Sequence, residues 1–268
     1  MTWPKKNRKT NMIRLVYTLR KNPEMTREAF QEYWLRQHAP LVASFAADLD
    51  ILRYVQTHTL TDPANQAVQQ ARGDMEPEYD GVAELWWATE SGLTESMQTD
   101  AGIRAGEALL EDEKKFIDLP NSPLWFAYEY PQINPSPENV IASVKSNVVR
   151  VFFPLRHQAK LSEEDARHYW LTQHGPIVRS HGQATGTLCY RQVHRANSPL
   201  DAGLQEARGT QVESYLGHAE AWVDRGLAPR TEEARAANAA FISDENNFID
   251  MSRSTIFFGK EHSIIDRR

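Results

Sequence analysis

An α+β fold is predicted, built from two tandem β-α-β-β-α-β repeats packed sheet to sheet as an α+β barrel. Three observations predict it. Tyr33-Trp34-Leu35-Arg36-Gln37-His38-Ala39-Pro40 returns 136 residues on (38 to 174) as Tyr169-Trp170-Leu171-Thr172-Gln173-His174-Gly175-Pro176. The same offset links Arg14 to Arg150, Tyr54 to Tyr190, Gln56 to Gln192, His58 to His194, and Glu84-Leu85-Trp86 to Glu220-Ala221-Trp222. After one length change the offset is 132 (116 to 248), linking Phe116-Ile117-Asp118 to Phe248-Ile249-Asp250. A period this long marks a duplicated domain and not a solenoid unit. Within each copy, strand alternation and helical spacing then follow one another in the same order.

Residues 12–19 are apolar and partly β-branched or aromatic, a strand signal. Asn22-Pro23 turns the chain. Thr26, with Glu28 in the first turn, suits a helix N-cap. Phe30, Trp34 and Leu35 recur at helical spacing, and Pro40 marks the end of that helix or a kink. In the second copy Ser162 takes the cap position, and Glu163, Glu164 and Asp165 set negative charge on the positive helix end. Second strands are expected over 51–59 and 187–195, and third strands over 81–88 and 217–223. The insertions between them carry Ala71-Arg72-Gly73 and Ala207-Arg208-Gly209; loops this long are functional or hold a short helix of their own. Second helices are expected over 92–115 and 229–244, and last strands over 123–130 and 254–260. The chain thus divides into an arm (1–11), a first repeat (12–130), a Pro-, Asn- and Ser-rich linker (131–146) and a second repeat (147–261).

A β-α-β-β-α-β unit folds in the ferredoxin-like way, as a four-stranded antiparallel sheet with both helices on one face. The bare face must be covered, and the other repeat is expected to cover it, leaving a chamber between the sheets. Strand alternation puts Ala83, Leu85 and Trp87, with Ala219, Ala221 and Val223, beneath the helices. Glu84, Trp86, His218, Glu220 and Trp222 fall on the opposite face. Tyr54, Gln56 and His58 share one face of their strand, as do Tyr190, Gln192 and His194, and Arg14 and Arg150 interrupt apolar runs. The expectation is that all of these side chains line the chamber.

Lys and Arg number 30 against 36 Asp and Glu, a net charge of −6, and no basic stripe of a nucleic-acid binder is present. The basic cluster Lys5, Lys6, Arg8 and Lys9 has no apolar run after it, so it does not read as a secretory signal. No stretch approaches the ~20 apolar residues of a membrane span. The single cysteine, Cys189, suits a buried small hydrophobe and a reducing, cytoplasmic setting. Nucleotide, zinc, calcium and serine-nucleophile motifs are all missing. The expectation is therefore no cofactor and no metal, a small-molecule substrate as partner, no nucleic acid and no membrane. A homodimer of the fused chain is compatible with this.

Tyr-Trp-x-x-x-His-x-Pro after a strand and a capped helix resembles the EthD family. So do Tyr54-x-Gln56 on the next strand and Asp80-Gly81-Val82-Ala83-Glu84-Leu85-Trp86 on the third. The resemblance covers most of the chain. It implies the ferredoxin-like fold paired as a dimeric α+β barrel, here in fused form. Some fungal members of the family resemble dehydratases of aromatic polyketide pathways. The wider superfamily includes isomerases, cyclases, lyases and cofactor-free oxygenases that use His, Tyr and acidic residues, together with a haem-binding branch. The implied function is a cofactor-independent lyase or isomerase working by dehydration, elimination or retro-aldol chemistry on a small oxygenated, aromatic substrate. The alternatives are a haem-binding protein and a non-catalytic small-ligand binder.

An imidazole with an ordinary pKa near 6.5 takes and returns a proton near neutrality, which makes His218 and His194 the leading acid–base candidates. Tyr190, His174, His58, Tyr54 and His38 complete the catalytic set, a Tyr or Arg steadying a developing oxyanion. His38 and His174 equally suit a helix end, where they would meet the last carbonyls. Substrate-binding candidates are Arg14, Arg150, Gln56, Gln192, Trp86, Trp222, Glu84, Glu220, Arg72 and Arg208. The tryptophans, with Phe152 and Tyr190, would form an aromatic wall. Arg72 and Arg208 would clamp a carboxylate or phenolate in two-toothed fashion. Glu84 and Glu220 equally suit buried pairs with Arg14 and Arg150. The halves differ: His218, His168 and His181 stand where the first half has Val82, Glu32 and Phe45.

Overall fold

The computed structural model describes residues 12–135 and 140–268, so the N-terminal arm and part of the linker lie outside the described residues. Eight antiparallel strands close into a barrel in the order β1-β3-β2-β8-β5-β7-β6-β4. They are β1 Ile13–Leu19, β2 Arg53–Thr59, β3 Gly81–Trp87, β4 Leu124–Ile133, β5 Val148–Leu155, β6 Thr187–Arg195, β7 Gly217–Asp224 and β8 Phe257–Asp266. The two sheets do more than stack. Each last strand, β4 or β8, gives its first residues to its own repeat and the rest to the second strand of the other. This seals both seams with hydrogen bonds and removes the exposed sheet edges that would otherwise recruit other chains. It also explains why β4 and β8 run past the ends expected from the sequence.

The helix caps form as expected: Thr26 accepts from the Ala29 amide and Ser162 from the Asp165 amide. Pro40 does not end its helix. Helix Arg27–Tyr33 widens into a π-helical turn over Trp34–His38 and continues as Ala39–Ser44. The second repeat does the same over Glu163–Tyr169, Trp170–His174 and Gly175–Thr185. Proline lacks an amide hydrogen and crowds the carbonyl four residues back. The wider turn relieves this, with the Ala39 amide bonding Trp34 O. The Trp34 carbonyl also accepts from Gln56 Nε2 at 3.0 Å, and Trp170 O accepts from Gln192 Nε2 at 2.7 Å. Such π-bulges recur at functional sites. The insertions carry helices Pro63–Gln70 and Leu200–Arg208. The second helical segment of repeat one is two helices, Glu90–Gln98 and Asp100–Phe116, where a single one was expected; Thr89 and Thr99 cap them.

Strand register decides which side chains share a face. Arg14 lies opposite Trp86 and Val16 opposite Glu84, and on the other side of β3 Val55 lies opposite Glu84. These point into the barrel. Tyr54 lies opposite Leu85, Gln56 opposite Ala83 and His58 opposite Gly81, so they point outward beneath the helices. The second repeat repeats this: Arg150 opposite Trp222 inside, Tyr190 opposite Ala221 and Gln192 opposite Ala219 outside. The expected single chamber lined by all these groups is thereby corrected. Alternation defines the two faces of one strand but not its phase against a neighbour, and here the phase divides the candidates between two environments.

The barrel's inside holds a buried core of Val16, Tyr79, Val82, Trp125, Phe152, Val193, Tyr215 and Phe257. Separate cores lie between each sheet and its helices. Among the described residues no helix is long and apolar enough to cross a membrane.

Candidate active sites beneath the helices

Each repeat holds a cavity between the outer face of its sheet and its helices. The first, about 120 Å³, is lined among others by Tyr17, Trp34, His38, Tyr54, Glu113 and Arg208. The second, about 310 Å³, is lined by the corresponding Phe153, Trp170, His174, Tyr190, Glu245 and Arg72. The candidates His38, Tyr54 and Arg208 therefore meet at the first cavity, and His174, Tyr190 and Arg72 at the second, which Glu220 also borders.

The π-turn carries the tryptophan and the histidine of each motif to this place. His38 Nδ1 lies 2.9 Å from Asp112 Oδ2, and Tyr33 Oη donates to Asp112 Oδ1 at 2.8 Å. In the second repeat His174 Nδ1 lies 2.8 Å from Asp244 Oδ2, and Tyr169 Oη donates to Asp244 Oδ1 at 2.7 Å. Burial opposes ionisation of Asp112, but hydrogen bonds from Tyr33, His38 and Lys115 hold its carboxyl below the usual range. An ionised partner assigns the proton to Nδ1 and leaves Nε2 as the basic nitrogen, by hydrogen-bond logic. Asp112 and Asp244 were not among the sequence candidates. The offset of 132 that links Phe116 to Phe248 also links Asp112-Glu113 to Asp244-Glu245, and that signal would have found them.

Arg72 and Arg208 do form two-toothed clamps, but on the protein's own carboxylates. Arg208 donates from Nε and Nη2 to Glu113, both at 2.8 Å, and Arg72 donates to Glu245 at 2.8 and 3.0 Å. Each clamp crosses between repeats, so each cavity is completed by an arginine from the other half.

Tyr54 is wholly beneath the helices. Its Oη accepts from Trp34 Nε1 and from Gln56 Nε2, both at 2.9 Å. Its own hydrogen is thus left free to donate toward the cavity. Burial raises the pKa of both Tyr54 and Tyr190, which keeps them protonated donors. Trp34 lies against the sheet because Gly81 has no side chain: a Cβ there would meet Trp34 Cζ3 at 2.5 Å. His58 and His194 support this layer and line neither cavity. His58 stacks on Trp34 and His194 on Trp170, with ring centroids 4.8 and 4.4 Å apart. Burial first, then His262 for His58 and Arg167 for His194, lowers both pKa values to about 3, so both rings are neutral near pH 7.

Arg14, Arg150, Glu84, Glu220, Trp86, Trp222 and His218 lie inside the barrel. Glu84 accepts from Arg14 and from Arg150 Nη2 at 2.8 Å; Glu220 accepts from Arg14 Nη2 at 2.9 Å and from Arg150. The four charges form a ring that joins the repeats. Arg14 also donates to Glu129 at 2.8 Å. Arg14 and Arg150 lie 4.8 and 4.9 Å from the Trp86 and Trp222 ring centroids. The substrate-binding roles expected for these residues are corrected accordingly: the guanidinium ends and carboxylates are spent on one another, and the Trp86 and Trp222 N–H groups donate to Glu129 and Glu261. His218 stacks on Phe152, and its Nε2 is 2.9 Å from Arg14 Nη2. Burial and the two guanidiniums push its pKa well down. Glu84, His218 and Glu220 bring ligand atoms within 4.8 Å of one another. A cation there would have to displace guanidinium groups already holding both carboxylates.

An α+β barrel with one helix-covered, histidine-bearing cavity per repeat is the class that these elements define. The chain belongs to the EthD family: the EthD domain matches residues 22–120 and 158–252. No curated protein matches it. Among solved structures it is similar to an anthrone oxidase-like protein (10% identity, 97% of this chain and 95% of that chain, TM-score 0.55). It is also similar to a candidate monooxygenase of Fusobacterium nucleatum (6% identity, 94% and 93%, TM-score 0.51). An EthD family protein of Bacillus halodurans matches 43% of this chain and 95% of its own length at 23% identity, TM-score 0.30. At these identities the first two likenesses speak to the fold alone.

Proposed function

We propose that the protein is a cofactor-independent lyase or isomerase that works by acid–base chemistry on a small oxygenated, aromatic molecule bound beneath the helices. The observation that carries this reading is the His–Asp pair at each cavity, with Nδ1 tied to a carboxylate and Nε2 left basic beside apolar walls. Nε2 of His38 or His174 takes a proton from carbon next to a carbonyl. The aspartate steadies the imidazolium that forms. The hydroxyl of Tyr54 or Tyr190 donates to the developing oxyanion. The imidazolium then returns the proton, to a departing hydroxyl in a dehydration or to another carbon in an isomerisation. Proton count and charge balance in both cases without an oxidant.

His218 and His194 are not the base in this reading. One is enclosed among guanidiniums and the other is neutral and stacked on Trp170. The test is turnover of hydroxylated aromatic ketones by His38→Ala, His174→Ala and the double variant. The double variant is expected to lose at least about 100-fold in kcat, the scale of one positioned proton-transfer group. Unchanged turnover in the double variant refutes the assignment. Binding without turnover in the wild type would favour a ligand carrier, and a Soret band on adding haem would favour the haem branch.

A further inference from the structure

The two cavities occupy equivalent places, yet their walls differ: the helix positions Gly106 and Leu109 become the larger Asn238 and Phe241, while the sheet side is trimmed. Leu49, Ile51, Leu85 and Trp87 of the first repeat are replaced by Thr185, Thr187, Ala221 and Val223 in the second, all lining residues. The four trimmed side chains outweigh the two enlarged ones, and the second cavity is the larger, about 310 Å³ against about 120 Å³. An apolar cavity of about 150 Å³ holds one benzene ring. The first cavity is therefore of single-ring size, and the second has room for two fused rings.

Their polar groups differ too. In the first cavity Tyr17 is buried beside the Arg208 guanidinium, which reaches toward its hydroxyl without good hydrogen-bond geometry. A guanidinium can only donate, so the hydrogen of the Tyr17 hydroxyl is unspent; a buried donor without an acceptor is costly, and the position calls for a ligand oxygen. Burial raises the Tyr17 pKa, so the hydroxyl is a donor and its complement is a carbonyl or phenol oxygen. The second cavity has Phe153 there. It gains instead the hydroxyls of Thr185 and Thr187, 2.8 Å apart on the wall that Trp87's counterpart no longer fills.

We infer that the cavities are specialised for different ligands. The second takes an oxygenated molecule of two fused aromatic rings, and the first takes a single oxygenated ring held by Tyr17. Val223 and Ala221 set the size limit of one, and Trp87 and Leu85 that of the other. The inference rests on reading the cavities as ligand sites but not on the acid–base step.

Calorimetric titration of the full chain with 2-naphthol and with phenol tests it. Wild type is expected to bind one 2-naphthol per chain. Val223→Trp should weaken that binding at least tenfold, and the repeat tolerates the substitution because its sister strand carries Trp87 at this position. Trp87→Val should add a second 2-naphthol per chain, a gain that misfolding cannot mimic. Tyr17→Phe should weaken one of two phenol sites by about fivefold, the worth of one hydrogen bond. Two equivalents of 2-naphthol on wild type, no binding at all, or binding unmoved by Val223→Trp and Trp87→Val overturns the inference. Unchanged turnover in the histidine double variant would sink the acid–base reading and leave these stoichiometries standing, so the two failures are distinguishable.

Discussion

Replacing Glu84 by Gln removes one charge from the centre of the barrel and almost nothing else. Glu84 is fully buried and accepts from two guanidiniums, one per repeat. Against the penalty of burial, Arg14 and Arg150 hold its carboxyl below the usual range. The amide keeps the shape but leaves Arg14 and Arg150 sharing Glu220 and the flanking Glu129 and Glu261. No guanidinium is stranded outright, but breaking a buried pair by removing one partner costs up to about 3–5 kcal/mol. In a chain of this size each kcal/mol lowers Tm by about 2–4 °C, so a drop of roughly 10 °C is expected. Urea and thermal unfolding read this directly. The exposed Glu111→Gln, which loses only a surface pair with Lys114, is the control and should move stability by less than about 1 kcal/mol. The pH dependence has a definite sign. A carboxyl with a depressed folded pKa contributes stability above its unfolded pKa and loses it as pH falls through the folded value. Glu84→Gln should therefore flatten the acid limb of the stability profile. A variant within 1 kcal/mol of wild type, or one with normal Tm and raised KM, refutes the structural role and returns Glu84 to substrate binding.

Arg208→Ala should cost about 1.5–3 kcal/mol through loss of the bond pair to Glu113 and disturb ligand affinity at the first cavity only. Arg72→Ala should do the same at the second, and denaturation of the double variant should show additive losses, the clamps sharing no partner. His58 and His194, with folded pKa values of about 3, resist a charge that the unfolded chain accepts near 6.5. Stability should fall as pH drops from about 6.5 toward 3, and urea midpoints of His58→Asn/His194→Asn should show a shallower slope. Gly81→Ala should push Trp34 off the sheet at a cost of about 1–3 kcal/mol, visible as a changed near-ultraviolet dichroism.

The repeat, the strand and helix order and both serine/threonine caps were legible because they rest on contacts close in sequence or on identity between copies. What could not be read was anything that depends on two distant strands being brought together. Alternation grouped Tyr54 with His58 correctly, yet it could not say that Tyr54 faces Leu85's side of β3 and not Glu84's, since register is set by pairing. The π-turn was hidden for a different reason: Pro40 carries the same signal whether a helix stops, kinks or widens. Asp112 and Glu113 sat inside a run of charged helix residues, where a solvated face is the ordinary reading. Only their recurrence as Asp244 and Glu245 sets them apart.

Fusion of the repeats explains why the interior and the cavities behave so differently. The interior cannot be divided, because each arginine of the ring answers to a glutamate from both halves, and β4 and β8 each complete the other half's sheet. A pair of identical chains would have to carry any change there twice, across the symmetry axis. In one chain the change can be made once. His218 shows the consequence: it stands opposite Pro154 and stacks on Phe152, while the equivalent position of the first repeat keeps Val82. A second imidazole in that space would add another buried polar ring beside two guanidiniums, each to be kept neutral at an energetic cost. The cavities beneath the helices have no lining residue in common; each borrows an arginine and an aliphatic residue from the other repeat's inserted helix, Arg208 and Leu204 for the first and Arg72 and Val68 for the second. Their walls are therefore free to change independently, as Trp87 and Val223 have, while the centre that holds both in place remains close to two-fold.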